Sequence, residues 1–161
     1  KKNSRKPSKI IYTNLNGDLI RRDFTINAMA INITPKNFGD LIDPFGGLKD
    51  IKSKILKTPL DADKTFSEDP LRMMRAAYFS SKLGFKIENN CLRSIKSQSN
   101  RINIVSWERI REEFIKILKT KKPSRGLIIL QKTVNLQMQK LLLTRRRRHQ
   151  ALVDNQQARR D

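Results

Sequence analysis

The chain has 161 residues, enough for one ordinary domain or for a small domain and part of a second, and its net charge of +20 favours polyanionic partners such as RNA. No stretch approaches the roughly 18 apolar residues of a spanning helix, so we expect no membrane partner. The single cysteine, Cys91, excludes an internal disulfide, and the single histidine, His149, excludes a multi-histidine metal site, which fits a reducing, cytoplasmic setting.

The first third of the chain predicts short strands and short helices. Four runs are β-branched or alternate in polarity and predict strands, at residues 10–13, 30–34, 40–43 and 55–58. Residues 14–18 have turn chemistry, and residues 19–30 are amphipathic, which predicts a helix over much of their length. Gly46 and Gly47 open a short helix that ends near Ser53.

From residue 66 onward the pattern is helical. Ser67 is the predicted N-cap of a helix with Asp69 in its first turn, and this helix ends at Gly84. Three further helices are predicted, at residues 90–99, 106–119 and 124–143. Residues 144–161 hold many arginines and little apolar periodicity, which predicts a basic, disordered tail.

Three segments carry the chemistry. They read RRDFTINAMA at residues 21–30, DPFGGLKDI at residues 43–51 and EDPLRMMRAA at residues 68–77. In the third, a helical wheel places Asp69, Arg72 and Arg75 within one sector of about 120°. The ordinary interpretation is a surface ion pair worth a few tenths of a kcal/mol.

The functional interpretation rests on hydrogen-bond complementarity. A carboxylate beside a guanidinium presents an acceptor next to a donor. Cytosine and adenine each present an amino donor beside a ring-nitrogen acceptor, whereas uracil and guanine present a carbonyl and an N–H at those places. The pair could therefore select C and A without a template, with about 1–3 kcal/mol of discrimination.

In their order and separation, these segments resemble the motifs that follow the catalytic centre in the CCA-adding enzyme and bacterial poly(A) polymerase family, in its class II. WERIREEF at residues 107–114 resembles the next motif, and the resemblance covers about residues 4–143. It implies an α+β chain: the C-terminal part of a nucleotidyltransferase head domain, then an all-α neck and body segment. The implied parts are a partial head domain at 1–62, a helical nucleotide-selecting neck with the start of an RNA-binding body at 63–143, and the tail at 144–161.

The resemblance also implies roles for individual residues. Asp69 and Arg72 would read the base, while Arg22 and Arg75 would bind the nucleotide. The supporting residues fall into two groups: Asp23 and Asn27 at the sugar or in local hydrogen bonds, and Asp43, Gly46, Gly47 and Asp50 in a flexible element that reshapes the pocket between C and A addition. Tyr78 and Lys57 stand where the family usually has arginine, which bears on nucleotide affinity.

The family binds Mg²⁺ through an Asp-x-Asp pair that follows a Gly-Gly turn, both N-terminal to the segment at 21–30. Only 20 residues precede that segment here, and none supplies these groups. We therefore expect a fragment with no catalytic residues and no metal ligands of its own, in which Asp61 and Asp63 are a loop pair.

The predicted parent enzyme transfers CMP and AMP from CTP and ATP to the 3′ end of tRNA. Two alternatives remain open at this stage. One is a poly(A) polymerase of the same family, and the other is a non-catalytic basic RNA-binding protein. The sequence makes no prediction of oligomeric state.

Overall fold

The computed structural model describes residues 14–133. Its helices are α1 Leu15–Leu19, α2 Gly47–Ser53, α3 Ala62–Glu68, α4 Leu71–Leu83, α5 Asn89–Gln98 and α6 Trp107–Leu118, with helical backbone, here α7, over 123–133. The 3₁₀ turns are Thr25–Asn27, Pro35–Asn37 and Ser99–Ile104, and the strands are β1 Ala30–Ile31, β2 Leu41–Ile42, β3 Ile55–Leu56 and β4 Lys86–Ile87. The predicted strand at 10–13, the end of the helix at 124–143 and the tail at 144–161 lie outside the described residues.

The segment before β1 differs from its prediction. Residues 14–18, predicted as a turn, lie mostly in α1, because the Asn14 side chain accepts a hydrogen bond from the Gly17 amide at 2.9 Å and caps the helix. The helix predicted over 19–30 is wrong over most of its length. Phe24 is extended and fully buried, and the Thr25 amide donates to the Lys57 carbonyl at 2.8 Å. A tertiary hydrogen bond therefore replaces a helical one.

The strands are shorter than predicted and form two separate pairs. β1 and β2 are antiparallel, with Ala30 opposite Ile42. β1 ends early because the Asn32 side chain accepts hydrogen bonds from the Thr34 amide and hydroxyl, at 2.9 and 2.8 Å. β3 pairs in parallel with β4, which the sequence analysis did not predict.

The helix predicted with Ser67 as its N-cap begins instead with α4, because Ser67 lies inside the preceding helix α3, which was not predicted. The residue before a proline avoids helical backbone, and Asp69, which precedes Pro70, is extended at φ −138° and ψ 98°. Helix α3 ends before it and α4 begins after it. Asp61 is the N-cap of α3 rather than a loop residue, accepting from the Lys64 amide at 3.0 Å, and Asp63 lies in its first turn.

The later helices follow the prediction closely. Helix α4 ends at the left-handed Gly84, and all four ends of α5 and α6 lie within one residue of their predicted positions. Packing of α4 against α6 and of α3 against α5 encloses one core, whose fully buried members include Phe24, Leu56, Phe66, Met73 and Met74. Cys91 lies in this core, where burial raises the pKa of its thiol to about 11, as expected for an inert apolar residue. Within 14–133, none of the helices combines the length and apolar character needed to span a bilayer.

Helix α2 is fastened to the Thr25–Asn27 turn. The Asp43 carboxylate accepts from the Gly47 and Leu48 amides at 2.7 and 2.9 Å, and Asp50 accepts from the Thr25 hydroxyl at 2.6 Å. A Cβ on Gly47 would lie 2.2 Å from the Thr25 carbonyl oxygen. Glycine at this position therefore permits the helix to approach the turn.

We expect Gly47→Ala to lower the free energy of unfolding by about 1–3 kcal/mol, because the added methyl group displaces the Thr25 backbone. Urea unfolding followed by circular dichroism measures the change. The control, Lys49→Ala, removes an exposed side chain from the same helix and should shift stability by about 0.5 kcal/mol or less. Equal unfolding midpoints for the two variants would contradict the close approach.

Candidate nucleotide-selecting site

A cluster of ionised side chains joins the loop after α1, the start of α4 and one face of α6. Asp23 is at its centre, with its side chain 15% exposed. One carboxylate oxygen accepts from the Arg75 Nε at 2.5 Å, and the other lies 3.4 Å from the Arg72 Nε. The buried ring of the next residue, Phe24, anchors this loop, so Asp23 faces α4.

Arg72 holds three segments together, and its side chain is 13% exposed. Its Nη1 donates to the Thr65 carbonyl at 3.1 Å and lies 3.4 Å from the Glu68 carboxylate, while Nη2 donates to the Arg21 carbonyl at 2.6 Å. Together with Asp23, these partners from the described residues face four of the five N–H donors of the Arg72 guanidinium. The second Nη2 donor has no hydrogen-bond partner within residues 14–133.

The Asp69 carboxylate faces α6 rather than Arg72. Its Oδ2 accepts from the Arg109 Nη2 at 2.8 Å, and its Oδ1 accepts from the Arg109 Nη1 at 3.4 Å and the Leu71 amide at 3.2 Å. The contact recorded between Asp69 and Arg72 is a backbone hydrogen bond of 3.0 Å. The helical wheel was therefore wrong for Asp69, which precedes α4, although both residues lie at the same junction.

Arg75 stands between Asp23 and Glu113 of α6. Glu113 is only 3% exposed, and its Oε1 lies 3.9 Å from the Arg75 Nη1 and 2.7 Å from the Lys116 Nζ. Neither Arg109 nor Glu113 was among the predicted site residues. Their opposite charges at i and i+4, flanked by apolar positions, were the available signal.

The remaining predicted site residues have other surroundings. Arg22 donates to Asp18 at 2.6 Å on an exposed part of the chain, so its recorded contacts lie outside the Asp23 cluster. The Asn27 side chain accepts from the Phe24 amide at 3.1 Å, which is the local bonding that was one of its two predicted roles. Gly46 is the N-cap residue of α2, Gly47 and Asp50 lie in its first turn, and Asp43 precedes the helix and accepts from its first amides.

Tyr78, one of the two departures from arginine, packs as an aromatic residue. The centroid of the Tyr78 ring lies 5.1 Å from that of Phe79 and 5.6 Å from the Lys82 ammonium. The site thus places a cation beside Tyr78, although the tyrosine itself carries no positive charge.

Two family models match the chain in the order of its architecture. "Poly A polymerase head domain" matches residues 1–57, and "Probable RNA and SrmB- binding site of polymerase A" matches residues 84–137. The chain belongs to the CCA-adding enzyme and poly(A) polymerase family. Its nucleotidyltransferase head followed by helices is the architecture that the resemblance implied.

Relatives and solved structures agree with this membership. The CCA-adding enzyme of Pediococcus pentosaceus is 44% identical over 76% of this chain and 30% of its own length, and that of Anoxybacillus flavithermus is 39% identical over 80% and 32%. The Bacillus stearothermophilus CCA-adding enzyme in complex with CTP has a TM-score of 0.72 at 39% identity, over 77% of this chain and 30% of that one. The Thermotoga maritima enzyme complexed with tRNA has a TM-score of 0.71 at 36% identity, over 75% and 30%. The chain thus spans about a third of the length of these family members.

The pair of Asp18 and Arg22 yields a prediction on pH. The hydrogen bond from Arg22 lowers the pKa of Asp18, so the pair is intact at neutral pH and is lost when the pH falls through that lowered pKa. We expect Arg22→Gln to raise the pKa of Asp18 back toward the ordinary aspartate range. Carboxyl ¹³C titration by NMR measures it.

Arg21→Gln is the matched control, because Arg21 lies 3.7 Å from the other Asp18 oxygen and contributes less to the lowered pKa. It should raise the pKa of Asp18 by less than Arg22→Gln does. A larger effect from Arg21 would contradict the assigned pairing.

Proposed function

We propose that the chain is the nucleotide-selecting part of an enzyme that adds CMP and AMP from CTP and ATP to the 3′ end of tRNA without a nucleic-acid template. The supporting observation is the junction where Arg72 and Arg75 of the third segment pair with Asp23 of the first, while Asp69 at the same junction pairs with Arg109 of α6. The relatives are named CCA-adding enzymes, and solved members hold CTP, ATP or tRNA. In this proposal, residues 1–62 belong to the head and residues 63–143 to the neck and body.

Base selection uses the free capacity of Asp69 and Arg72. Asp69 is 34% exposed, so the amino group of cytosine or adenine can reach its carboxylate, and the remaining Nη2 donor of Arg72 can meet the ring nitrogen. Uracil and guanine would place a carbonyl against the carboxylate and an N–H against the guanidinium. Both contacts are repulsive.

Phosphate binding uses the arginines that now pair with carboxylates. Arg75 and Arg22 are both partly exposed, and a guanidinium binds phosphate through two parallel hydrogen bonds. A triphosphate would compete with Asp23 for Arg75 and with Asp18 for Arg22. Nucleotide affinity therefore depends on the difference between the arginine–phosphate pairs that form and the arginine–aspartate pairs that break.

The parent reaction requires Mg²⁺, which the family binds through carboxylates. Among residues 14–133, no group of three or more histidine, cysteine, aspartate or glutamate side chains could hold a metal ion. The described residues do not fit a metal site. The roles proposed for the described residues are therefore the choice and binding of the nucleotide.

A basic RNA-binding protein without nucleotide selection is the second candidate. The charge of +20 would also suit such a protein, although both matched family models are named for poly(A) polymerase. RNA affinity and its salt dependence are expected from both candidates. Only selection among nucleotides separates them.

Asp69→Asn tests the proposal. At fixed ionic strength, we expect the chain to bind CTP and ATP more tightly than UTP and GTP by roughly 5–150-fold, which corresponds to about 1–3 kcal/mol. The substitution replaces one carboxylate acceptor with a donor, so this preference should fall to near unity. Titration calorimetry with each nucleotide measures it, and Glu112→Gln, an exposed change on α6, is the control that should retain the preference.

Two other results of this titration would favour the alternative functions. Equal affinities for all four nucleotides in the unsubstituted chain, with RNA binding intact, would favour the basic RNA-binding protein. Binding of ATP without CTP would favour a poly(A) polymerase.

A further inference from the structure

We infer that Arg109 is a specificity-determining positioning residue, which holds the Asp69 carboxylate in the orientation that reads the base. This inference rests on the proposed function of Asp69. The Arg109 guanidinium faces both carboxylate oxygens, with Nη2 2.8 Å from Oδ2 and Nη1 3.4 Å from Oδ1. Arg109 thus acts through Asp69 and lies on a different helix from Arg72.

Asp69 needs such a partner because few other contacts fix the orientation of its carboxylate. It lies in the extended link between α3 and α4, and its side chain is 34% exposed. Its other recorded side-chain contact is the amide of Leu71, two residues away, at 3.2 Å. Rotation of the carboxylate would move the acceptor away from the base, and small misplacements of a binding group carry large costs.

The forked contact leaves Asp69 able to bind a ligand. A carboxylate offers about four acceptor positions on its two oxygens, and the two Arg109 hydrogen bonds with the Leu71 amide occupy three. The open position lies on Oδ2, which accepts only from Arg109 among the described residues. A planar guanidinium facing a planar carboxylate also fixes the plane in which that position lies.

Helix α6 provides a rigid base for Arg109. Ile110 and Ile117 are buried at 2% and 0% exposure and anchor the helix in the core beside α4. One turn after Arg109, the buried Glu113 faces Arg75. Along α6, the positive Arg109 thus faces the negative Asp69, and the negative Glu113 faces the positive Arg75. This alternation of charge favours one register of α6 against the selecting residues.

Two substitutions of Arg109 separate the effect of its positive charge from the effect of its forked geometry. Lysine keeps the positive charge but has no fork, so Arg109→Lys should leave Asp69 paired yet free to rotate. Arg109→Gln removes the charge as well. The controls are Arg111→Lys and Arg111→Gln, which make the same changes at an exposed position of the same helix.

The experiment measures the affinities of the whole chain for CTP, ATP, UTP and GTP in each variant, together with helicity and urea unfolding. We expect Arg109→Lys and Arg109→Gln to lower the preference for CTP over UTP by about tenfold, the effect of one charge-assisted contact, with smaller changes in UTP affinity. Both Arg111 variants should keep the preference. In an Asp69→Asn background, Arg109→Gln should cause no further loss of preference, since the two residues act as a unit.

Several results would overturn the inference. An equal fall in affinity for all four nucleotides, or lower stability with an unchanged preference, would show that Arg109 only supports the fold. A preference that survives in Arg109→Lys would sink the positioning role while leaving the proposed function intact. An unsubstituted chain without any preference would overturn both.

Discussion

The sharing of the Asp23 carboxylate between Arg72 and Arg75 is the interaction on which the junction depends. Asp23 belongs to the loop after α1, and the two arginines are one turn apart on α4. Two guanidinium groups at this separation repel each other, and a largely buried carboxylate alone would be costly to desolvate. Each charge is therefore tolerated only because the others are present. The loop is fastened to α4 by a balance of charge, in addition to the apolar anchor at Phe24.

The same balance extends to α6. Glu113 is almost fully buried, and a buried carboxylate requires cations nearby, which Arg75 and Lys116 provide. Under the proposed function, a triphosphate bound to Arg75 would replace Asp23 as its ion-pair partner. Glu113 would still balance part of the positive charge of Arg75. The protein carboxylates thus keep the arginines in place before a nucleotide arrives. This arrangement reduces the ordering cost of binding while adding a competing partner.

The sequence predicted the later helices well because their signals are local. Gly84 ends α4 through its left-handed backbone, and the apolar positions of α6 follow the helical period. The short strands were harder, since β3 and β4 contain two residues each and pair across about thirty positions of chain. The segment at 19–30 failed for a related reason. The buried Phe24 and the hydrogen bond from Thr25 to Lys57 depend on distant residues, which periodicity cannot report.

The sequence named the candidate residues but misplaced the contacts of Asp69, and one local rule explains the difference. Asp23, Arg72 and Arg75 do meet, but a helix running through Asp69 would have placed its carboxylate beside Arg72 on the surface of α4. Pro70 forces Asp69 out of helical backbone and so ends α3. The carboxylate then points toward α6, where Arg109 is within hydrogen-bonding distance. The break between α3 and α4 therefore directs the Asp69 acceptor toward Arg109 on α6, while the Arg72 donor on α4 keeps separate partners.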